Sequence, residues 1–248
     1  MLVIYYYKNL LAFATKFKLI CVKLIGDERK ASLMIENWND FLAPYEQAVA
    51  ELKLKLRTLR DQLRTKEHHG PIEFVTGRVK PIKSIQEKMI RRQIKEERLA
   101  SDMEDIAAVR IMCQFVEDIY DVVAVLRKRT DMKIIEERDY IAKKKPSGYR
   151  SYHIVIEYTV QLLTGAKVIK AEIQIRTLAM NFWATIEHSL NYKYQGEFPK
   201  ELAQRLQRTA EAAFLLDNEM SNIQEEIREA QEIFAKKSLH VNDKKDEV

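Results

Sequence analysis

Two acidic side chains lie in otherwise apolar segments, where a purely structural role is hard to assign. Asp105 directly precedes the apolar run IAAVRIMCQF, and Glu172 lies within KAEIQIRT. If the second segment is a strand, its alternation puts Glu172, Gln174 and Arg176 on one face and apolar side chains on the other. Magnesium is usually held by one or two carboxylates together with substrate phosphates, so Asp105 and Glu172 could bind Mg²⁺ in a cleft. The alternative is an exposed sheet face with an ordinary Glu–Arg pair, and the pattern alone favours neither.

Basic side chains further upstream could bind a polyphosphate. Arg78 and Lys80 lie two residues apart on a predicted strand, so they share a face. Ser84, Lys88 and Arg91 are spaced to share one face of the helix predicted to follow. Arginine suits phosphate because its guanidinium group forms paired hydrogen bonds to two oxygens. The alternative is a solvated charged helix, which spacing alone favours because glutamates are interspersed among the basic residues.

The segment SGYRSYH, residues 147–153, offers a place for a nucleobase. Ser147 and Gly148 form a predicted turn, and Tyr149 then leads into a strand. A tyrosine at this position can stack on a base, with Lys145 and His153 close enough in sequence to reach the phosphates or the ribose. An aromatic residue at the start of a strand more often serves packing, so this segment is weak evidence by itself.

Several common classes of site are excluded. The six glycines are never within four residues of one another, so the chain has neither a Walker A loop nor a dinucleotide-binding fingerprint. Any phosphate must therefore be held by side chains. Cys21 and Cys113 give no disulfide framework, which fits a reducing compartment, and we expect the cytoplasm. His68 and His69 precede a Gly–Pro pair and indicate a turn rather than a metal site.

The first 33 residues differ in character from the rest. They contain six basic and two acidic residues, so four of the five net positive charges belong to them, and the remainder gives little indication of nucleic-acid binding. Lysines interrupt each apolar stretch long enough to span a bilayer, and the features of a signal peptide are incomplete, so we expect no membrane association. Residues 28–30 can be encoded by a purine-rich run resembling a ribosome-binding site. We therefore expect translation to start at Met34 and residues 1–33 to come from an over-extended gene model.

Hydrophobic periodicity predicts the elements that position these side chains. An amphipathic helix is expected from Trp38 to the turn before Pro71, and the segment from Lys236 to residue 248 is expected to be a disordered polar tail. Between them we predict strands over residues 72–80, 106–115, 132–141, 152–160 and 167–176, and helices over residues 83–98, 117–129, 178–194 and 200–235, the last as one or two helices. A QLLTGA turn joins the last two strands as a hairpin. Strands that alternate with helices and end in a hairpin predict a mixed sheet with helices packed on it, in the α+β or α/β class.

Five segments in this order resemble the synthetase domain of the RelA/SpoT family. They are GRVKP at 77–81, DIAAVRI at 105–111, SGYRSYH at 147–153, EIQIRT at 172–177 and MNFWATIEHSLNYKY at 180–194. Within that family the chain is most similar to the stand-alone small alarmone synthetases of the RelQ type. The resemblance covers about Met34 to Phe234, so we expect one synthetase domain with flanking oligomerisation helices over residues 34–235. It implies an α+β fold of the nucleotidyltransferase type, a mixed sheet flanked by helices with long N- and C-terminal helices.

The resemblance also implies the reaction and the residues that perform it. Members of this family transfer the β,γ-diphosphate of ATP to the ribose 3′-hydroxyl of GTP or GDP, which gives (p)ppGpp and AMP. Asp105 and Glu172 would bind Mg²⁺, and Glu172 would also take the proton of the 3′-hydroxyl. The residues implied for ATP are Arg78 and Arg110 at the adenine and Lys80, Ser84, Lys88, Arg91 and Arg92 at the phosphates. Those implied for GTP or GDP are Tyr149 at the guanine, with Lys145, His153, Gln174, Asn181 and His188.

Further expectations concern regulation and competing functions. The resemblance implies a homotetramer, activation by (p)ppGpp at an allosteric site, and binding of single-stranded RNA in some members. The adjacent His–Asp pair of the family's hydrolase domain does not occur in the sequence, so hydrolysis of the alarmone is not expected. The main alternative is an RNA-binding regulator whose synthetase activity is secondary or lost. A protein of that kind should lack one of the two carboxylates or the Tyr149 segment, and this chain has all three.

Overall fold

The computed structural model describes residue 35 and residues 37–66, 70–194 and 198–243. The expectations for residues 1–33, for the start at Met34 and for the His68–His69 turn lie outside the described residues. The described chain forms two compact units. One consists of residues up to Leu42 together with Pro81–Asp102, and the other consists of Ala43–Lys80 and the chain from Met103 onward.

A five-stranded mixed sheet forms the centre of the larger unit. Its strands are β1 (Phe74–Val79), β2 (Ala107–Cys113), β3 (Lys133–Asp139), β4 (Tyr152–Leu162) and β5 (Gly165–Thr177). The strand order is β1-β2-β5-β4-β3, with β2 and β5 parallel and all other neighbours antiparallel. Residues such as Val109, Ile154 and Ile173 are fully buried and form the core. These apolar residues alternate along their strands and so share one face of the sheet, which is buried. The intervening positions lie on the opposite face and are left for polar side chains.

The β4–β5 hairpin is confirmed, but its turn is shorter than predicted. Leu162 pairs with Gly165, so only residues 163 and 164 form the connection. Gly165 has a positive φ of 114°, a conformation that glycine adopts without a steric penalty. The predicted six-residue turn was therefore too long, because its outer residues continue the ladder.

Helices alternate with strands along the chain in the order that the periodicity predicts, with the short helix at Leu99–Asp102 as an addition. In chain order they are α1 (Trp38–Lys66), α2 (Ile82–Arg92), α3 (Leu99–Asp102), α4 (Val116–Arg127), α5 (Leu178–Lys193) and α6 (Lys200–Asp243), with a short 3₁₀ turn at Glu96–Arg98. Within the larger unit, α1 contacts β4, where Tyr158 donates a hydrogen bond to Glu51, and α4 contacts β2 and β5. The predicted fold class, a mixed sheet flanked by helices with long N- and C-terminal helices, is confirmed.

Two helix boundaries differ from the predictions. Helix α2 ends at Arg92, because Gln93 takes a left-handed conformation and the amides of Gln93 and Ile94 bond back to Ile90 and Met89. Helix α6 is one helix of 44 residues that continues to Asp243, so the backbone of residues 236–243 is helical where a disordered tail was expected. The sequence has no glycine or proline after Pro199 to end the helix earlier. Residues 244–248 lie outside the described chain. In the parts that the structure describes, no helix combines the length and apolar character needed to cross a bilayer.

Candidate active site

Strand register gathers the predicted polar side chains on one face of the sheet. Ala108 of β2 pairs with Arg78 of β1 on one side and with Glu172 of β5 on the other. One step further along, Gln174 of β5 pairs with both Arg110 and His153. Directly paired residues project to the same side of a sheet. We call this side the polar face, formed by the side chains of Arg78, Arg110, His153, Glu172, Gln174 and Arg176.

Glu172 lies at the centre of the polar face, with only 6% of its surface exposed. Its Oε1 atom is 2.9 Å from His153 Nδ1, and its Oε2 atom accepts a 2.5 Å hydrogen bond from Gln174 Nε2. Burial by itself raises the pKa of Glu172, but His153 and the Gln174 amide outweigh it, so the pKa lies below its ordinary value. The carboxylate is therefore ionised at neutral pH.

Asp105 lies within electrostatic reach of Glu172. It precedes β2, and Lys80 follows β1, so the antiparallel pairing of these strands brings them together: Lys80 Nζ is 3.0 Å from Asp105 Oδ2. The negative charge of Asp105 acts to raise the pKa of Glu172, which means that the two carboxylates affect each other. They are two hard oxygen donors near one face of the sheet, the chemistry that Mg²⁺ prefers. Within the described residues no group of three or more His, Cys, Asp and Glu side chains is arranged to hold a metal ion.

Tyr149 is joined to this network through its hydroxyl group. The oxygen is 2.7 Å from His153 Nε2 and accepts a 2.6 Å hydrogen bond from Arg176 Nη2. Lys145 Nζ is 4.7 Å from the centre of the Tyr149 ring, close enough for a cation–π contact. His153 therefore links Tyr149 on one ring nitrogen to Glu172 on the other.

Three arginines, Arg78, Arg110 and Arg176, make the polar face strongly positive. Burial lowers the pKa of Arg110, and repulsion from Arg176 and Arg78 lowers it further. Arg110 and Arg176 both donate to Gln174 Oε1, at 3.2 and 2.8 Å. Among the described residues, none of these three guanidinium groups forms an ion pair with a carboxylate. Such a cluster favours a polyanionic ligand.

Other predicted site residues lie on helices. Ser84, Lys88, Arg91 and Arg92 are on α2, in the smaller unit, where Ser84 and Lys88 are partly exposed and both arginines are exposed. Their role at the ATP phosphates therefore stays a prediction. Asn181 and His188 are seven residues apart on α5 and so share a helix face. Asn181 Oδ1 is buried with no hydrogen-bond partner in the described part of the chain, and His188 is exposed.

Two residues of the network were missing from the predicted site. Arg176 was recognised as sharing a face with Glu172 and Gln174, and that position was the signal that it belongs to the site. Tyr140 follows β3 directly; its ring is 5.1 Å from that of His153, and Lys145 Nζ lies 4.3 Å from the centre of the Tyr140 ring. No local pattern marks Tyr140, because its place depends on the pairing of β3 with β4.

Comparison with known proteins identifies the family. Residues 77–197 match the region found in RelA/SpoT proteins. GTP pyrophosphokinase YjbM of Bacillus subtilis is 55% identical over 202 residues, which are 82% of this chain and 95% of that protein. In the crystal structure of small alarmone synthetase 1 from B. subtilis bound to its product pppGpp, the chain is 56% identical, with a TM-score of 0.74 over 77% of this chain and 97% of that one. In a structure of the same synthetase bound to AMPCPP, the chain is 51% identical, with a TM-score of 0.68 over 77% of this chain and 98% of that one. The chain therefore belongs to the RelA/SpoT family and, within it, to the small alarmone synthetases.

Proposed function

We propose that this protein is a GTP pyrophosphokinase that transfers the β,γ-diphosphate of ATP to the ribose 3′-hydroxyl of GTP or GDP. The products are pppGpp or ppGpp, together with AMP. The observation that carries this proposal is Glu172, an ionised carboxylate held by His153 and Gln174 on a face rich in arginine. Its position suits a base that acts beside a polyphosphate. The 55% identity to a GTP pyrophosphokinase over nearly the whole of that protein supports the same activity.

The chemistry asks little covalent participation of the protein. The 3′-oxygen forms a bond to the β-phosphorus, the bond between that phosphorus and the α,β-bridging oxygen breaks, and AMP leaves with the electron pair. A ribose hydroxyl becomes an effective nucleophile when a base takes its proton, and Glu172 is the base in this proposal. Positioning and neutralisation of charge supply most of the remaining rate enhancement.

Asp105 and Glu172 are the residues that would hold Mg²⁺. When bound, the ion would supply positive charge to the triphosphate. Its fit rests on the two mutually interacting carboxylates, with Lys80 bound to Asp105 as a further cation beside them.

We assign the part of the polar face around Arg78 and Arg110, which we call the arginine end, to ATP. Arg78 and Arg110 lie diagonally on neighbouring strands, where their planar groups could hold the adenine between them. Lys80 and the α2 residues Ser84, Lys88, Arg91 and Arg92 would bind the phosphates. AMPCPP, found on small alarmone synthetase 1, is an ATP analogue with a methylene group between the α- and β-phosphorus atoms, at the bond that would break here.

We assign the Tyr149 end to the acceptor nucleotide. The Tyr149 ring would stack on guanine, and Lys145 would meet the phosphates. His153 and Gln174 would fix Glu172 against the ribose, and Asn181 and His188 on α5 would complete the acceptor site. The pppGpp bound to small alarmone synthetase 1 is the product expected of this site when GTP is the acceptor.

Assembly, compartment and physiological role are part of the same proposal. Helix α6 carries a row of exposed apolar side chains at Leu215, Leu216, Met220, Ile223 and Ile227. Exposed apolar faces of this kind mark interfaces, so they support self-association, and the resemblance to the family makes a homotetramer the expected state. We place the enzyme in the cytoplasm with its nucleotide substrates, and its alarmone product in the stringent response.

Incubation with ATP labelled at the β- and γ-phosphates tests the proposal directly. We expect labelled pppGpp with GTP and labelled ppGpp with GDP, together with one AMP for each product and a requirement for Mg²⁺. Absence of a labelled guanosine product with either acceptor, or release of ADP in place of AMP, would contradict it.

A further inference from the structure

The loop between β3 and β4, residues 140–151, carries Lys145 and Tyr149 and packs against α6. Gly148 has a φ of 88°, and a Cβ atom added there would be 2.6 Å from the Cβ of Ala210 and 3.4 Å from the carbonyl oxygen of Gln207. No larger residue could bring the loop backbone this close to the helix. Tyr149, the proposed guanine-stacking residue, comes next in the chain.

Arg150, on the other side of Tyr149, is directed towards α6. It is 6% exposed, and its guanidinium carbon lies 3.9 Å from the centre of the Phe214 ring. One terminal nitrogen donates a 3.3 Å hydrogen bond to the Gly148 carbonyl oxygen, and the other donates a 3.1 Å bond to Glu211 Oε2. Arg150 therefore joins the loop backbone to two side chains of α6.

The geometry separates Arg150 from the arginines of the polar face. Arg110 and Arg176 donate to Gln174, and Arg176 also donates to Tyr149, whereas the contacts of Arg150 are with Gly148, Glu211 and Phe214. A buried guanidinium stacked on a ring makes a substantial contact because water does not screen it. Arg150 thus fixes the loop in place without facing the proposed substrates.

We propose that Arg150 is a positioning residue whose attachment to α6 sets the affinity of the Tyr149 loop for the guanine nucleotide. The inference rests on the proposed function, because it takes Tyr149 as the acceptor-binding residue. A loop released from α6 would hold the Tyr149 ring less often in its stacking position, so the acceptor would bind less tightly. ATP, bound at the arginine end, would be affected much less.

Lys144 offers a matched control, because it binds the same Glu211 carboxylate that Arg150 binds. Lys144 Nζ is 2.8 Å from the same Oε2 atom, but its side chain is 46% exposed, whereas that of Arg150 is 5% exposed. Exposed ion pairs contribute little to stability. Lys144→Met therefore removes a charge from this carboxylate and from the same loop while leaving the buried attachment intact.

The experiment measures KM for GDP at saturating ATP, and KM for ATP at saturating GDP, in wild type, Arg150→Met and Lys144→Met. We expect Arg150→Met to raise KM for GDP by roughly tenfold, with KM for ATP changed by less than about twofold. Lys144→Met should behave like wild type. If Arg150→Met leaves KM for GDP unchanged, or raises both KM values equally, the inference is overturned.

A milder variant protects the test against loss of folding. Phe214→Leu keeps an apolar side chain under the guanidinium but removes the ring, so it should raise KM for GDP in the same direction by a smaller factor. The double variant Arg150→Met/Phe214→Leu should have the same KM for GDP as Arg150→Met alone, because both substitutions break the same attachment. Fully additive effects, or a Phe214→Leu enzyme with unchanged KM for GDP, would contradict the proposal. A wild-type protein that forms no product would instead reject the proposed function.

Discussion

Replacing Tyr149 by alanine removes both the ring assigned to guanine and the hydroxyl that joins Arg176 to His153. The hydroxyl oxygen lies 2.6 Å from Arg176 Nη2 and 2.7 Å from His153 Nε2, so the substitution breaks two contacts as well as the stacking surface. Tyr149→Phe breaks only the two hydroxyl contacts and keeps the ring. Comparing the variants therefore separates stacking from hydrogen bonding.

The size of the effect follows from the energy of base stacking. One aromatic contact to a base contributes about 1–3 kcal/mol, which corresponds to about 5- to 150-fold in binding. We expect KM for GDP to rise within this range in Tyr149→Ala and to stay closer to wild type in Tyr149→Phe. KM for ATP should change by less than about threefold in both, because the arginine end of the polar face is intact.

The assay is the initial rate of AMP release, with one nucleotide varied while the other saturates. Thermal unfolding of each variant shows whether the fold is retained. Equal increases of the two KM values in Tyr149→Ala would refute the stacking role. So would a Tyr149→Phe enzyme that loses as much GDP affinity as Tyr149→Ala.

Two further predictions concern the stability of the fold, one in the β3–β4 loop and one on α6. Gly148→Ala should lower the free energy of unfolding by about 1–3 kcal/mol more than Gly165→Ala in chemical denaturation, because only the first substitution adds a clash. Both glycines have positive φ, but the new Cβ atom would meet Ala210 at 2.6 Å in the first case and nothing within 4 Å in the second; equal losses would contradict the close packing. Burial raises the pKa of Asp217 from its ordinary 3.8 to about 6, against the lowering effect of the hydrogen bond from Thr177 Oγ1 at 2.6 Å. Since the folded state then holds a proton that the unfolded state releases, the stability of wild type relative to Asp217→Asn should fall as pH rises through this window and stay constant above it. Parallel stability curves for the two proteins across the window would show that burial does not perturb Asp217.

The central part of the site could be predicted because it follows from strand alternation. Glu172, Gln174 and Arg176 are on one face of β5 as the sequence pattern requires, since a regular strand leaves no other choice. His153 was expected from its nearness to Tyr149 in sequence, and the resemblance to the family added Arg110, but strand alternation does not relate these two residues to each other. Their meeting at Gln174 depends on the order of the strands in the sheet.

The remaining contacts depend on long-range packing that local patterns do not contain. Lys80 and Asp105 are 25 residues apart in sequence, and they meet only because β1 and β2 pair in one particular register. The sequence around Arg150 is equally compatible with a phosphate-binding role. Its burial against Phe214 depends on how α6 packs against the β3–β4 loop, which no local pattern reveals. The polar composition beyond residue 235 predicts disorder, but no glycine or proline follows Pro199, and the helical backbone continues to Asp243.

The reaction itself is tested most directly by Glu172→Gln. Glutamine keeps the size of the side chain, and its oxygen can still accept from Gln174 while its NH2 group donates to His153 Nδ1, but it cannot take the proton of the 3′-hydroxyl at neutral pH. At saturating Mg²⁺ we expect the rate of product formation to fall by about 10²-fold or more, with the unfolding temperature and the binding of GDP largely retained. A variant that forms (p)ppGpp within about twofold of the wild-type rate would show that Glu172 is not the base.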